Sequence, residues 1–288
     1  MPENEKSEKL NGEQIKAAVK RAYGERVTGC CSPSSVVPLA GTKKKWVSRL
    51  GYAQRDVERL PSSAVEFSFG CGNPLALADI WEGAVVLDLG SGAGMDCLLA
   101  AEKVGPTGKV IGLDMTPAMI ERARENARAA GVTNVEFRLG DAEQMPVESE
   151  SVDWVISNCV INLTPNKRKV FAEIYRVLKP GGRVSISDIV LGEPLPESVA
   201  RNVTAWVGCV AGAITEAEYL RAMRDAGLTG VRVISRWVLS RDELGAFLAD
   251  CSENLALSGN AAKELDAALE AVEGNVWSAR IVAEKPIR

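Results

Sequence analysis

The chain has 288 residues, 46% of them apolar and 25% charged, with a net charge of −4 and no histidine. That balance fits a folded, enzyme-sized chain with one large core or two modest ones. It excludes a broad basic field for nucleic acid or a membrane surface, and the missing histidine removes the usual protein base.

The first residues, MPENEKSEKLNGEQ, are acidic and polar. They lack the apolar stretch of a secretion signal, and no later run reaches the ~18 apolar residues of a membrane span. The expected compartment is a reducing cytoplasm, where seven cysteines read as buried thiols, ligands or redox groups rather than a disulfide scaffold. The lead-in turns helical near GEQIKAAVKRAY. GERVTGCCSPSSVVPLAGT is rich in Gly, Ser and Pro and reads as loop, and KKKWVSRLGY (43–52) as a solvated basic face rather than a nucleic-acid patch.

From Ala84 a regular alternation begins. VVLDLG (85–90) reads as a buried strand, MDCLLAAEKV (95–104) as a helix and KVIGLDM (109–115) as a strand. TPAMIERARENARAAG is a helix with Thr116 as N-cap, Pro117 in its first turn and Gly131 past its end. NVEFRLGDA and VDWVISNCV are strands, TPNKRKVFAEIYRVLKPGG is a helix that again opens on Thr and Pro, and RVSISDIV (183–190) is a strand. After Leu191 the alternation weakens: helical PESVARNVTAWVGCV and TEAEYLRAMRDAG, a strand VRVISRWVL, two more helices and a final strand VWSARIVAEKP. Boundaries near 75 and 190 divide the chain into an N-terminal segment with a thiol loop (1–75), a central domain (76–190) and a smaller α+β C-terminal domain (191–288). The alternation predicts an α/β fold with a doubly wound, Rossmann-like sheet, whose ligands sit outside the carboxyl ends of the strands.

LDLGSGAG (87–94) follows a strand and opens a helix. A dinucleotide fingerprint needs a third glycine where Met95 stands; the G-x-G-x-G spacing resembles the class I methyltransferases that bind S-adenosylmethionine. The expected donor-binding residues are Asp88, Gly90, Ser91, Gly92 and Gly94 on this turn. Asp114 and Met115 end the second strand, where a carboxylate can accept from two ribose hydroxyls. Asp141 and Ala142 would bracket the adenine edge, and Asn158 ends the fourth strand. A sulfonium donor also suits a chain without histidine, because its methyl carbon is already activated and transfer needs alignment more than acid catalysis.

The cysteines stand at 30, 31, 71, 97, 159, 209 and 251. No C-x2-C pair offers a structural zinc site. Cys97, inside CLLAA, reads as a small core residue, and Cys251 carries no assignment. Cys159 follows Asn158 at a strand end, Cys71 lies between two glycines in FGCGNP, and Cys209 lies among small residues in VGCVAGA. Cys30 and Cys31 adjoin in a Ser-rich loop. Thiols drawn from distant segments with no His, Asp or Glu motif suggest a soft acceptor, because thiolates select soft ions. A trivalent arsenic centre takes three sulfurs in a pyramid and keeps a lone pair at its apex.

From about Tyr23 to Leu239 the chain resembles the bacterial arsenite S-adenosylmethionine methyltransferases. GCCSPSS, GCGNPLALA, VVLDLGSGAGMDC, GLDMTPAMIERAR, SNCVINLTP, VLKPGGR, SDIV and GCVAGAITEAEYL carry the resemblance. It implies methylation of As(III) delivered as a thiol complex and bound by Cys71, Cys159 and Cys209. It also implies a further redox-active cysteine near the N-terminus, with the choice of Cys30, Cys31 or both left open, which would pair with Cys71 after transfer and be reset by glutathione or thioredoxin. Binding to a metalloid strips the thiol proton, so no histidine is required. Two other readings stand beside this one: a class I methyltransferase with another small-molecule acceptor, such as a quinone ring, and a non-catalytic As(III)-binding thiol module.

Overall fold

The computed structural model describes residues 11–28, 46–76, 78–195, 210, 212–245, 270 and 272–287. Seven strands form one sheet: β1 (Val85–Leu89), β2 (Lys109–Asp114), β3 (Val135–Leu139), β4 (Val152–Asn158), β5 (Leu178–Leu191), β6 (Thr229–Val238) and β7 (Val276–Glu284). Their order is β3-β2-β1-β4-β5-β7-β6. β1 to β5 run parallel, whereas β7 is antiparallel to both β5 and β6. β6 and β7 come from beyond residue 190, so the sheet continues across the boundary drawn there.

The central strands are apolar runs because helices cover both of their faces: Val86, Leu87, Val155 and Ile156 are fully buried. The order reverses between β1 and β4, which opens a crevice at their carboxyl ends. Register brings the ends level. Leu89 lies opposite Leu113 and Ser157, and Asn158 lies opposite Ser187. Side chains scattered over a hundred positions of sequence thus reach one rim.

The helices are α1 (Gly12–Thr28), α2 (Gln54–Arg59), α3 (Ser62–Glu66), α4 (Met95–Val104), α5 (Pro117–Ala129), α6 (Lys167–Val177) and α7 (Glu216–Asp225). Three boundaries differ from the sequence reading. α6 ends at Val177 and β5 begins at Leu178, so LKPGG, read as the end of the helix, belongs to the strand. α1 runs on through GERVT to Thr28, past its internal Gly24. α6 is capped by Asn166, whose side chain accepts from the Lys169 amide at 3.1 Å, and not by Thr164. The Thr164 hydroxyl instead donates to the Ile161 carbonyl at 2.7 Å in the short turn Ile161–Leu163. α7 carries a full capping box between Thr215 and Glu218. It packs on α6 through an edge-to-face pair of Phe171 and Tyr219, ring centroids 5.2 Å apart.

Candidate active site

The cleft at the sheet's switch point holds about 1000 Å3 of space between its walls, part of it open to solvent. Nine of the ten expected donor-binding residues, from Asp88 to Asn158, line it; Gly94 does not and instead stands as the N-cap of α4. Gly90, Gly92 and Gly94 take φ of 75°, 50° and 90°, left-handed backbone that turns the chain from β1 into α4. Asp114 braces this turn. One carboxylate oxygen accepts from the Gly92 amide at 3.0 Å and the other from the Thr116 amide at 2.8 Å. Asp141 is held by Lys16 of α1, at 2.6 Å, and accepts from the Glu143 amide at 2.8 Å.

Three carboxyls face this cleft with little water around them. Burial, then the neighbouring Asp96, pushes the Asp88 carboxyl well above the usual carboxylate range, against the thiol of Cys97, which donates to it at 3.2 Å. Burial pushes Asp96 up to about 6, opposed by hydrogen bonds from Tyr52 and Asn158. Asp114 is raised by burial as well, against the amides that it accepts from. Negative charge confined this way suits a ligand that brings positive charge with it, as a sulfonium with an α-ammonium does.

The Asp96 shift fixes a sign. A carboxyl with a raised folded value binds its proton more tightly in the folded chain, so its contribution is full below the ordinary carboxylate range and is lost as pH rises to about 6. Urea unfolding of the ligand-free chain is therefore expected to give lower stability at pH 7 than at pH 4.5, with Asp96 accounting for on the order of 2 kcal/mol. Asp96→Asn is expected to flatten that slope; an unchanged slope would contradict the burial argument.

Cys159 stands just past β4 with φ +60°, a left-handed conformation that costs a non-glycine residue about 1–2 kcal/mol. The Ser187 carbonyl holds its amide at 2.8 Å. This turn sends the chain out of the sheet at the cleft wall. Cys71 arrives on a loop pressed against the same strand end. A side chain at Gly70 would overlap the Asn158 amide, and one at Gly72 would meet Ser187 Cβ at 2.7 Å, so the glycines flanking Cys71 permit that approach. Asn158 then clamps the loop: it accepts from the Cys71 and Gly72 amides at 3.0 and 3.3 Å and donates to the Gly72 carbonyl at 2.8 Å. Ser278 of β7 adds a hydrogen bond to the Cys71 carbonyl at 2.7 Å.

Cys71 and Cys159 are both buried, and with the carboxylate of Asp188 their ligand atoms lie within 4.8 Å of one another. Cys30, Cys31, Cys209 and Cys251 lie outside the described residues. Cys97 is fully buried on the core-facing side of α4.

Several residues at this centre have no sequence motif. Lys16, Val19 and Tyr23 make α1 a wall of the cleft. Tyr23 packs edge-on against Phe69 at 5.5 Å, and the Arg26 guanidinium lies 4.8 and 5.0 Å from the two ring centroids. The stripe Ile15, Val19, Tyr23, Val27, four residues apart, was the available signal that one face of α1 is covered. Asp188 carried no local signal, since SISDIV reads as an ordinary buried strand.

A mixed sheet, parallel from β1 to β5 with its cleft at the switch point, and a glycine turn without pyrophosphate spacing define a class I methyltransferase fold. A family model for the methyltransferase domain matches residues 80–227. The arsenite methyltransferase of Halobacterium salinarum is 47% identical over 233 residues, covering 78% of this chain and 57% of its own length. The human arsenite methyltransferase is 34% identical over 244 residues, covering 81% and 61%. Among solved structures, an arsenic(III) S-adenosylmethionine methyltransferase from Chlamydomonas reinhardtii matches with a TM-score of 0.65 at 32% identity, over 81% of this chain and 73% of that one. The chain belongs to the arsenite methyltransferase family, and it spans about three-fifths of the length of the two curated relatives.

Proposed function

We propose that the chain methylates trivalent arsenic, with Cys71 and Cys159 as two of its thiolate ligands and Cys209 as the third. One observation carries this reading: two buried sulfurs from segments 88 residues apart meet within 4.8 Å, and Cys159 forms part of the donor cleft wall. Thiolates bind a soft centre and lose their protons to bind it, so the pair needs no base. When bound, S-adenosylmethionine supplies a methyl carbon on a cationic sulfur. The residues suited to hold it are the 90–94 turn, Asp114 for the ribose hydroxyls, Asp141 and Ala142 for the adenine edge, and the buried Asp88 and Asp96 for its positive charge. The thiols hold arsenic at the wall with its lone pair toward the cleft.

Accepting a methyl cation leaves arsenic pentavalent, and two electrons return it to the trivalent state. A thiol pair, Cys30 or Cys31 with Cys71, is proposed to supply them by forming a disulfide, and glutathione or thioredoxin to reset it. A reducing cytoplasm is the compartment that such a cycle needs; none of the helices in the described residues is long and apolar enough to cross a membrane.

The reading is tested by incubating the purified chain with As(III), S-adenosylmethionine and a thiol and identifying the arsenic species by mass spectrometry. Methylated arsenic with matching S-adenosylhomocysteine is expected; absence of any methylated arsenic overturns the assignment. A second expectation concerns the donor. Asp114→Asn keeps the shape of the side chain and one acceptor but loses the charge that a ribose diol would donate to, so calorimetry should show donor affinity lowered roughly ten-fold. Unchanged affinity would remove Asp114 from the donor site.

A further inference from the structure

Asp188 is fully buried on β5, and three hydrogen bonds orient its carboxylate. One oxygen accepts from Asn162 Nδ2 and from the Ile189 amide, each at 2.9 Å; the other accepts from the Tyr219 hydroxyl at 3.0 Å. A carboxylate that ligates a metal or metalloid is usually supported by such hydrogen bonds, and Asp188 has that support while facing two sulfurs. Two buried polar atoms nearby, Asn162 Oδ1 and Ser187 Oγ, have no hydrogen-bond partner among the described residues. Unpaired buried polar atoms are uncommon, and two of the six among the described residues belong to the residue bonded to Asp188 and the one preceding it.

We propose that Asp188 is an oxygen ligand to arsenic, completing with Cys71 and Cys159 a two-sulfur, one-oxygen site. This rests on the arsenic reading above. The three donors already lie within 4.8 Å of one another, so small side-chain shifts close them on a single atom. The exchange balances without a redox step. Arsenous acid gives up its three hydroxyls, two thiols and one carboxylic acid give up three protons, and three waters leave while arsenic stays trivalent. Cys209 then displaces the carboxylate: its sulfur bonds to arsenic, and its proton passes to the Asp188 oxygen. A hard oxygen on a soft centre is the weakest of the ligands, so the site can capture arsenic before the third thiol arrives and yield to it afterwards.

The test uses the full chain with Cys209→Ser, which leaves two thiols and Asp188. As(III) binding is followed by the sulfur-to-arsenic charge-transfer absorption, with S-adenosylmethionine affinity measured alongside to verify folding. Adding Asp188→Asn is expected to weaken As(III) binding by roughly ten-fold or more. Asp188→Cys in its place is expected to restore or exceed the parent affinity. A purely structural carboxylate would not behave so, because a cysteine cannot replace its hydrogen bonds to Tyr219, Asn162 and Ile189. The proposal is overturned if the parent does not bind As(III), if Asp188→Asn changes nothing, or if Asp188→Cys binds no better than Asp188→Asn. A wild-type chain that neither binds nor methylates As(III) overturns the arsenic reading itself. Wild-type methylation combined with an indifferent Asp188 overturns this ligand alone.

Discussion

Cys159→Ser should reduce As(III) methylation by a factor of at least ~1000 while leaving S-adenosylmethionine affinity within about three-fold of wild type. The substitution is nearly isosteric, so the left-handed turn at this position and its amide bond to Ser187 can persist. What goes is the soft donor at the cleft wall. A serine hydroxyl ionises far less readily than a thiol and binds arsenic weakly, so arsenic would be held by Cys71 and whatever else reaches it, with its lone pair no longer fixed toward the methyl carbon. Fixed alignment of two reactants is worth several powers of ten. Paired measurements decide the matter: arsenic speciation for turnover, calorimetry for the donor. Activity within ten-fold of wild type would mean that Cys159 is not an arsenic ligand and would return the quinone-type acceptor to consideration. Parallel loss of donor affinity would mean that the substitution had damaged the cleft as a whole.

The two halves of the site were unequally legible in the sequence. The donor half is built from short-range order. A strand, a glycine turn and a helix lie within twenty residues, and a parallel sheet must bring Asp114 and Asp141 to the same rim once their strands are found. The thiol half depends on register and on a loop. FGCGNP gave no strand or helix pattern, and only the structure shows that its glycines let it press on the end of β4. Asp188 sits in a strand whose neighbours are all buried, so its chemistry depends on β5 pairing with β4, which sets Ser187 beside Asn158 and brings Asp188 up to the thiols. α1 was legible as a helix but not as a wall of the cleft, because its covered face is one narrow stripe among charged residues. The place of β6 and β7 at the sheet's far edge was not readable either, since their pairing is antiparallel and follows a stretch where the alternation had faded.

Asn158→Ala should destabilise the chain by about 3 kcal/mol or more and weaken As(III) binding more than donor binding. The sequence placed Asn158 among the donor contacts, and it does line the cleft. Its polar atoms, however, are engaged within the protein. Besides the three bonds to the Cys71 loop, Nδ2 donates to the Tyr52 hydroxyl at 3.0 Å and to Asp96 at 3.2 Å, and Tyr52 itself donates to Asp96 at 2.6 Å. The side chain therefore ties the loop that carries a sulfur to the carboxyl that lines the donor cleft. Alanine removes the acceptor of the Cys71 and Gly72 amides and the donor to the Gly72 carbonyl at a buried site, and each such buried bond lost costs roughly 1–3 kcal/mol. The loop can regain water only by lifting, which separates Cys71 from Cys159. The donor cleft keeps its glycine turn, Asp114 and Asp141, so its affinity should fall less. Denaturant unfolding gives the stability change, and parallel titrations with As(III) and S-adenosylmethionine give the two affinities. If donor affinity collapses while As(III) binding and stability hold, Asn158 is chiefly a donor contact and the tie between the two halves is of little consequence.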